Sequence, residues 1–262
     1  MQFTKRIIKH KYETEVKYFP TLEHSKEYHA RKERELDTDN LDASILESIS
    51  RTKRTIKEYA RNNDFDYFVT LTFDPTKFDN FSIDSVYHHT KIFLQKLRRF
   101  NPNLKYLLVP EYHADKQKIH LHGYIKGDLL LNKAVNPLKN NEILKYKGKT
   151  IYNLPQWSYG YSTALKIGKS INDTLRCSSY ITKYVTKDLL ISFNQKRYWA
   201  SKNLSKGHCV YESQVYYTSI SELKEKELSK LSLATEIDSS NIRVFENDYY
   251  CNLTTTDLEV RP

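Results

Sequence analysis

The chain has 262 residues, with 42 Lys+Arg against 32 Asp+Glu, a formal net charge of +10 and a pI near 9.2. At 39% apolar and 28% charged residues it can bury one core, which excludes a disordered chain, and no apolar run approaches the roughly 18 residues of a membrane span. Three scattered cysteines, Cys177, Cys209 and Cys251, exclude a disulfide framework and a cysteine zinc site; with no signal-peptide pattern at Met1–Arg6, the expectation is a soluble, cytoplasmic protein.

In chain order, the first forty residues read as an irregular, partly helical extension. An amphipathic helix follows from Asp42 to Arg61, with Ile45, Ile49, Ile56 and Tyr59 or Ala60 at helical spacing and Asp42 as candidate N-cap. Phe65 to Phe73 is rich in β-branched and aromatic residues and forms a strand that Asp74-Pro75 stops. Ser82 or Asp84 caps a helix to about Arg99, whose buried side carries Val86, Ile92, Phe93 and Leu97. Leu104–Tyr112 and Ile119–Ile125 are two strands of a hairpin around the polar stretch His113–Lys118. Residues 129–149 are ambiguous, and Ile151–Ile167 holds one or two further strands. Asn172 or Asp173 caps a helix to about Leu190; beyond Trp199 the pattern weakens, apart from a mixed-charge helix at Ser221–Leu233.

Charge is unevenly spread along this order. Residues 1–62 hold 14 Lys+Arg and 11 Asp+Glu (+3), residues 63–210 hold 23 and 11 (+12), and residues 211–262 hold 5 and 10 (−5). The division expected is therefore an N-terminal extension (1–62), a basic central domain (63–210) and an acidic C-terminal extension (211–262). A basic domain with many tyrosines, among 21 in the chain, favours a polyanionic partner, because phosphate binding releases condensed counterions.

Two local patterns carry chemistry. In Ile119-His120-Leu121-His122-Gly123, strand alternation puts both imidazoles on one face, about 7 Å apart along the backbone. Alone, His-x-His is as common on a solvent-facing strand. A hairpin turn centred on Asp115-Lys116 would set Glu111 directly opposite His120, on the same face, giving one carboxylate and two imidazoles; such mixed ligands suit Mn²⁺, Mg²⁺ or another divalent ion acting on a phosphate oxygen.

The second pattern is Ser179-Tyr180-Ile181-Thr182-Lys183-Tyr184-Val185-Thr186-Lys187. On a helix, Tyr180, Lys183, Tyr184 and Lys187 share an arc of about 100°, apart from the apolar Ile181 and Val185. A neutral phenol is a poor nucleophile, so nearby ammonium groups and a metal-polarised phosphate are what it requires; on the helix alone, two packed tyrosines with solvated lysines explain the pattern equally well.

A strand ending in Val69-Thr70-Leu71-Thr72-Phe73, Glu111 ahead of His120-x-His122, and overlapping Tyr-x-x-Lys units occur in an order that resembles the HUH endonuclease superfamily, specifically the rolling-circle replication initiator (Rep) proteins of bacterial phages and plasmids. The resemblance covers about Asp64 to Lys206 and implies an α+β, ferredoxin-like fold with a central antiparallel sheet flanked by helices. It implies that Glu111, His120 and His122 hold Mn²⁺ or Mg²⁺. It also implies that Tyr180 or Tyr184 attacks a DNA phosphodiester to leave a 5′-phosphotyrosine and a free 3′-OH, and that Lys183 and Lys187 hold the phosphate. Single-stranded DNA at a replication origin would be the substrate, inside a bacterial host. Thr70, Thr72, Trp157, Tyr159, Lys166, Lys169, Lys196, Arg197 and Lys202 are expected to contact it, the aromatic rings by stacking bases and the cations by following the backbone. Gly168-Lys169-Ser170 lacks the upstream glycine of a Walker loop, since position 163 is Thr163, so a host helicase is the implied partner.

Other readings of the same residues are a transposase or relaxase with this site, a DNA- or RNA-binding regulator that does not cut, and a metal hydrolase using water in place of a tyrosine.

Overall fold

The computed structural model describes residues 1–21, 40–112, 118–185, 197–235, 242–247 and 250–256. In chain order the elements are β1 (Gln2–Lys9), β2 (Glu13–Pro20), α1 (Asn40–Asn62), β3 (Tyr67–Thr72), α2 (Ile83–Phe100), β4 (Lys105–Tyr112) and β5 (Ile119–Lys126). Short strands follow: β6 (Asn132–Lys133), β7 (Val135–Asn136), β8 (Glu142–Ile143), β9 (Lys145–Tyr146) and β10 (Lys149–Asn153). Then come β11 (Ser162–Lys166), α3 (Ile171–Tyr180), a 3₁₀ turn (Ile181–Tyr184), β12 (Trp199–Ala200), β13 (His208–Tyr216), α4 (Ile220–Thr235), β14 (Arg243–Asn247) and β15 (Tyr250–Thr256). They form two compact units, residues 1–44 with 206–262, and residues 45–205.

The unit built from the two ends of the chain is a five-stranded antiparallel sheet in the order β13-β1-β2-β15-β14. Phe3, Val16, Tyr18, Cys251 and Leu253 pack with Leu223 of α4 to make its core. Buried among them, Glu227 accepts hydrogen bonds from Lys5 Nζ at 2.7 Å, Tyr18 OH at 2.5 Å and Lys230 Nζ at 2.8 Å. The irregular, partly helical N-terminus expected from sequence is instead a β-hairpin. Its partners lie some two hundred residues away in sequence, so local patterning of Gln2–Lys9 carries little trace of the pairing.

The unit of residues 45–205 is α+β. Its antiparallel sheet runs β12-β4-β5-β3-β11-β10-β6, with β9 also on β10, and helices cover it, in keeping with the ferredoxin-like arrangement expected. Strand alternation splits its apolar residues into two cores. Val69, Leu71, Leu108, Leu121 and Ile125 face α2, through Val86, Phe93, Leu94 and Leu97. On the opposite face, Leu107, Val109 and Tyr124 meet Ile49, Ile56 and Ala60 of α1 and Ile181 of the 3₁₀ turn. Each fully buried Leu or Phe contributes about 1.5–3 kcal/mol relative to exposure, so both faces are strongly held. Gly123 lets β4 and β5 approach: a Cβ there would lie 2.1 Å from the Leu107 carbonyl oxygen and 2.7 Å from the Leu108 Cα.

Helix starts and stops largely follow the sequence signals. Ser82 caps α2, its hydroxyl accepting from the Ser85 N–H. Helix α1 begins at Asn40, so Asp42 is inside it and not its cap. For α3 the cap is Ser170, not Asn172 or Asp173. The Ser170 hydroxyl accepts from the Asp173 N–H at 3.1 Å, and the Asp173 carboxylate accepts from the Ser170 N–H in return, a reciprocal capping box. The helix expected to run to Leu190 tightens into the 3₁₀ turn after Tyr180 and leaves helical geometry at Val185 (φ −88°, ψ 90°). No helix among the described residues is long and apolar enough to cross a membrane.

Candidate metal centre and tyrosine pair

β5 is a central strand, bordered by β4 and β3, and its register decides the site. Glu111 pairs with His120, Val109 with His122, Thr72 with His120 and Thr70 with His122. Directly paired residues share a face, so Glu111, His120, His122, Thr70 and Thr72 all point away from the α2 core, toward the face that α1 and the 3₁₀ turn cover. The Glu111–His120 pairing is the one that a turn at Asp115-Lys116 implies; residues 113–117 themselves lie outside the described residues.

The three ligand atoms converge. His122 Nε2 is 2.9 Å from His120 Nε2 and 3.1 Å from Glu111 Oε2, and His120 Nε2 is 3.4 Å from the same oxygen, so that all lie within 4.8 Å of one another. The side chains are 11–26% exposed, sheltered yet reachable. Thr70 Oγ1 sits 3.1 Å from His122 Nδ1. A proton on Nδ1, donated to Thr70, leaves the Nε2 lone pair facing the cluster, the tautomer a metal requires. Burial works to raise the Glu111 carboxyl, but hydrogen bonds from His120 and His122 outweigh it and bring it down to about 2. Burial also lowers His122, against the opposing pull of Glu111, which favours the neutral ring. An ionised carboxylate beside two neutral imidazoles is a donor set that fits a divalent cation.

Both tyrosines reach this cluster. The Tyr184 ring stacks on His122 with centroids 4.0 Å apart and planes 16° apart, and its hydroxyl donates to the Tyr180 hydroxyl at 2.8 Å. Phe68, two residues before Thr70 on the same strand and face, packs edge-on against Tyr180 at 5.5 Å and stacks near Tyr184 at 6.2 Å. Burial, together with the hydrogen bond it gives Tyr180, pushes the Tyr184 hydroxyl well above the usual phenol range. Tyr180 is the more exposed ring, at 43%, and Lys183 Nζ stands 5.2 Å from its centroid. A groove of about 950 Å³ opens beside the pair, bounded by β3, β11, the β9–β10 turn and α3.

The other expected contact residues scatter. Trp157 and Tyr159 are not available for stacking: they are 3% and 8% exposed in the α2-side core, where Trp157 packs on Phe73 and Phe93 and its Nε1–H donates to the Thr72 carbonyl. Aromatic residues alternating along a polar stretch look alike in sequence whether they face a core or a ligand. Thr70 orients His122, Lys166 lines the groove, and Lys169 is paired with Asp66. Lys202 is exposed and Arg197 partly so; Lys187 and Lys196 lie outside the described residues. Sequence reasoning missed Phe68, Arg176 and the groove lip at Tyr146–Lys149. The signal for the lip was a two-residue Lys147-Gly148 loop between short strands, the pattern of a tight hairpin.

Residues 66–189, just under half of the chain, match a family model for replication-associated proteins of the ORF2 type. The matched span contains Glu111, His120, His122 and both tyrosines, and the similarity supports a role in DNA replication. Comparisons with curated proteins and with solved structures found no match.

Proposed function

We propose that the protein is a rolling-circle replication initiator of the HUH type, which nicks and rejoins single-stranded DNA at an origin through a 5′-phosphotyrosine link. The observation that carries the proposal is the stacking of Tyr184 on His122 with its hydroxyl on that of Tyr180, which brings two phenols to a Glu-His-His cluster. A Mn²⁺ or Mg²⁺ ion held by Glu111, His120 and His122 would polarise a phosphate oxygen as a Lewis acid.

The chain's own groups supply the rest. Tyr180, the exposed phenol, attacks phosphorus; the bond to the 3′ oxygen breaks, and the strand leaves with a free 3′-OH while its 5′ phosphate stays on the tyrosine. The hydrogen bond from Tyr184 stabilises negative charge on the Tyr180 oxygen, and the Lys183 ammonium adds to that field. Lys187 is assigned the same role on sequence alone. Rejoining is attack of a 3′-OH on the phosphotyrosine, with Tyr184 placed to act on a second strand. Lys166, Lys169, Arg197 and Lys202 follow the DNA backbone, and a host helicase opens the duplex.

An oligonucleotide carrying the origin of the cognate replicon, incubated with Mn²⁺, should form a denaturation-resistant protein–DNA adduct. Peptide mapping should place it on Tyr180 or Tyr184. Cleavage that survives Tyr180→Phe/Tyr184→Phe would favour the metal hydrolase, and binding without any adduct would favour the regulator.

A further inference from the structure

The groove beside the tyrosine pair has a built lip. Lys147 (φ 48°) and Gly148 (φ 78°) form the two-residue, left-handed turn between β9 and β10, the geometry that matches the twist of a tight hairpin. Register sets Tyr146 directly opposite Lys149, so a phenol ring and an ammonium group stand side by side on one face of a short, rigid hairpin. Both line the groove, and so does Lys147, whose Nζ is 5.5 Å from the Tyr146 centroid. Tyr146 is 55% exposed, with ring surface free for another planar group.

The groove's charge is one-sided. Among the described residues, five cationic side chains line it, Lys147, Lys149, Lys166, Arg176 and Lys183, against the single carboxylate of Asp173. That carboxylate is engaged by Ser170 in the α3 capping box. The floor is apolar where Leu165 and Ile151 pair across β10 and β11, and the groove continues without a break to His122, Tyr180 and Tyr184. An apolar floor with a cationic, aromatic rim complements a chain of bases joined by phosphates.

We propose that the Tyr146–Lys149 lip is a nucleotide clamp. Tyr146 stacks one base of the strand flanking the scissile phosphate, while Lys149 and Arg176 hold its neighbouring phosphates. The proposal rests on single-stranded DNA being the substrate, as given above, and adds where that strand lies and what grips it.

The full chain, in EDTA to prevent cutting, is titrated against fluorescein-labelled oligo-dT and followed by anisotropy over a series of salt concentrations. Tyr146→Ala should bind about 5- to 150-fold more weakly, as loss of one stacked base predicts, while Tyr146→Phe keeps wild-type affinity. Lys149→Ala/Arg176→Ala should flatten the slope of log affinity against log salt by about 1.4, two phosphate contacts' worth for a single strand. Lys91→Ala/Lys96→Ala, on the exposed side of α2, removes the same charge and should leave the slope unchanged. Wild-type affinity in Tyr146→Ala, an equal effect from the α2 pair, or equal binding of duplex would overturn the clamp. Adduct formation with Mn²⁺ is scored separately: an adduct with no effect of Tyr146→Ala sinks only the clamp, and loss of affinity in Tyr146→Ala with no wild-type adduct sinks only the nicking reading.

Discussion

The imidazole of His122 lies flat against the Tyr184 ring, 4.0 Å between centroids, while its Nδ1 faces Thr70 and its Nε2 faces His120 and Glu111. One ring is thus fixed on three sides by a strand neighbour, a ligand cluster and a phenol from another element. Metal holding and tyrosine placement are coupled through it.

Thr70→Val keeps the shape of the side chain and removes the oxygen that the His122 Nδ1 meets. Mn²⁺ affinity, measured by calorimetry, should fall about 10- to 100-fold with little change in thermal midpoint. An unchanged affinity would mean that Thr70 does not set the His122 tautomer.

Tyr184→Phe should slow the first adduct by about 10- to 100-fold, since it deletes a hydrogen bond to an oxygen that gains negative charge. The residual adduct should map to Tyr180 in single-turnover assays. Tyr180→Phe should abolish that first adduct.

Acid should loosen the centre before it unfolds the protein. Burial holds His122 below its usual 6.5, so the stabilisation gained by keeping the ring neutral is complete above that pH and drains away as pH falls through the lower folded value. Glu111, brought down to about 2, stays ionised until far lower pH. In EDTA, the thermal midpoint should drop between about pH 7 and pH 5, and His122→Gln should drop less. Equal losses in both proteins would refute the assignment.

Gly123→Ala should destabilise the unit of residues 45–205 by about 1–3 kcal/mol or more, because the added methyl meets β4 backbone, which cannot rotate away. The denaturant midpoint measures this. Metal affinity should fall with it, since β4 carries Glu111 and β5 both histidines.

Glu227→Ala should cost about 3–5 kcal/mol in the other unit by stripping Lys5 and Lys230 of a buried partner. Burial alone would raise this carboxyl, yet hydrogen bonds from Lys230, Lys5, Tyr18 and Tyr217 bring it down to about 2. Its stabilisation is therefore full above about pH 4.5 and lost toward about 2, a transition that Glu227→Gln should remove from the acid-melting curve.

The candidate metal centre was legible because period-two alternation and hairpin register are local. His120, His122 and Glu111 needed only a turn position to be assembled. The tyrosine pair was legible as a helical face, although the chain tightens into a 3₁₀ turn between the two rings; a spacing of four still brings their hydroxyls together. Trp157 and Tyr159 misled because burial is decided by which side of the sheet α2 covers, a fact no window of residues contains. β1, β2 and β13 escaped notice for a related reason: their pairing is long-range, and β13 is exposed along most of its length, leaving no apolar face to detect.

The interleaving of β1 and β2 with β13 and β15 bears on synthesis. A ribosome releases the amino-terminal hairpin first, yet both of its outer edges stay bare until β13 and β15 emerge, after the central unit has had time to fold. A message cut short after residue 205 would yield the candidate catalytic unit with a sticky, half-made sheet, prone to clumping through those edges.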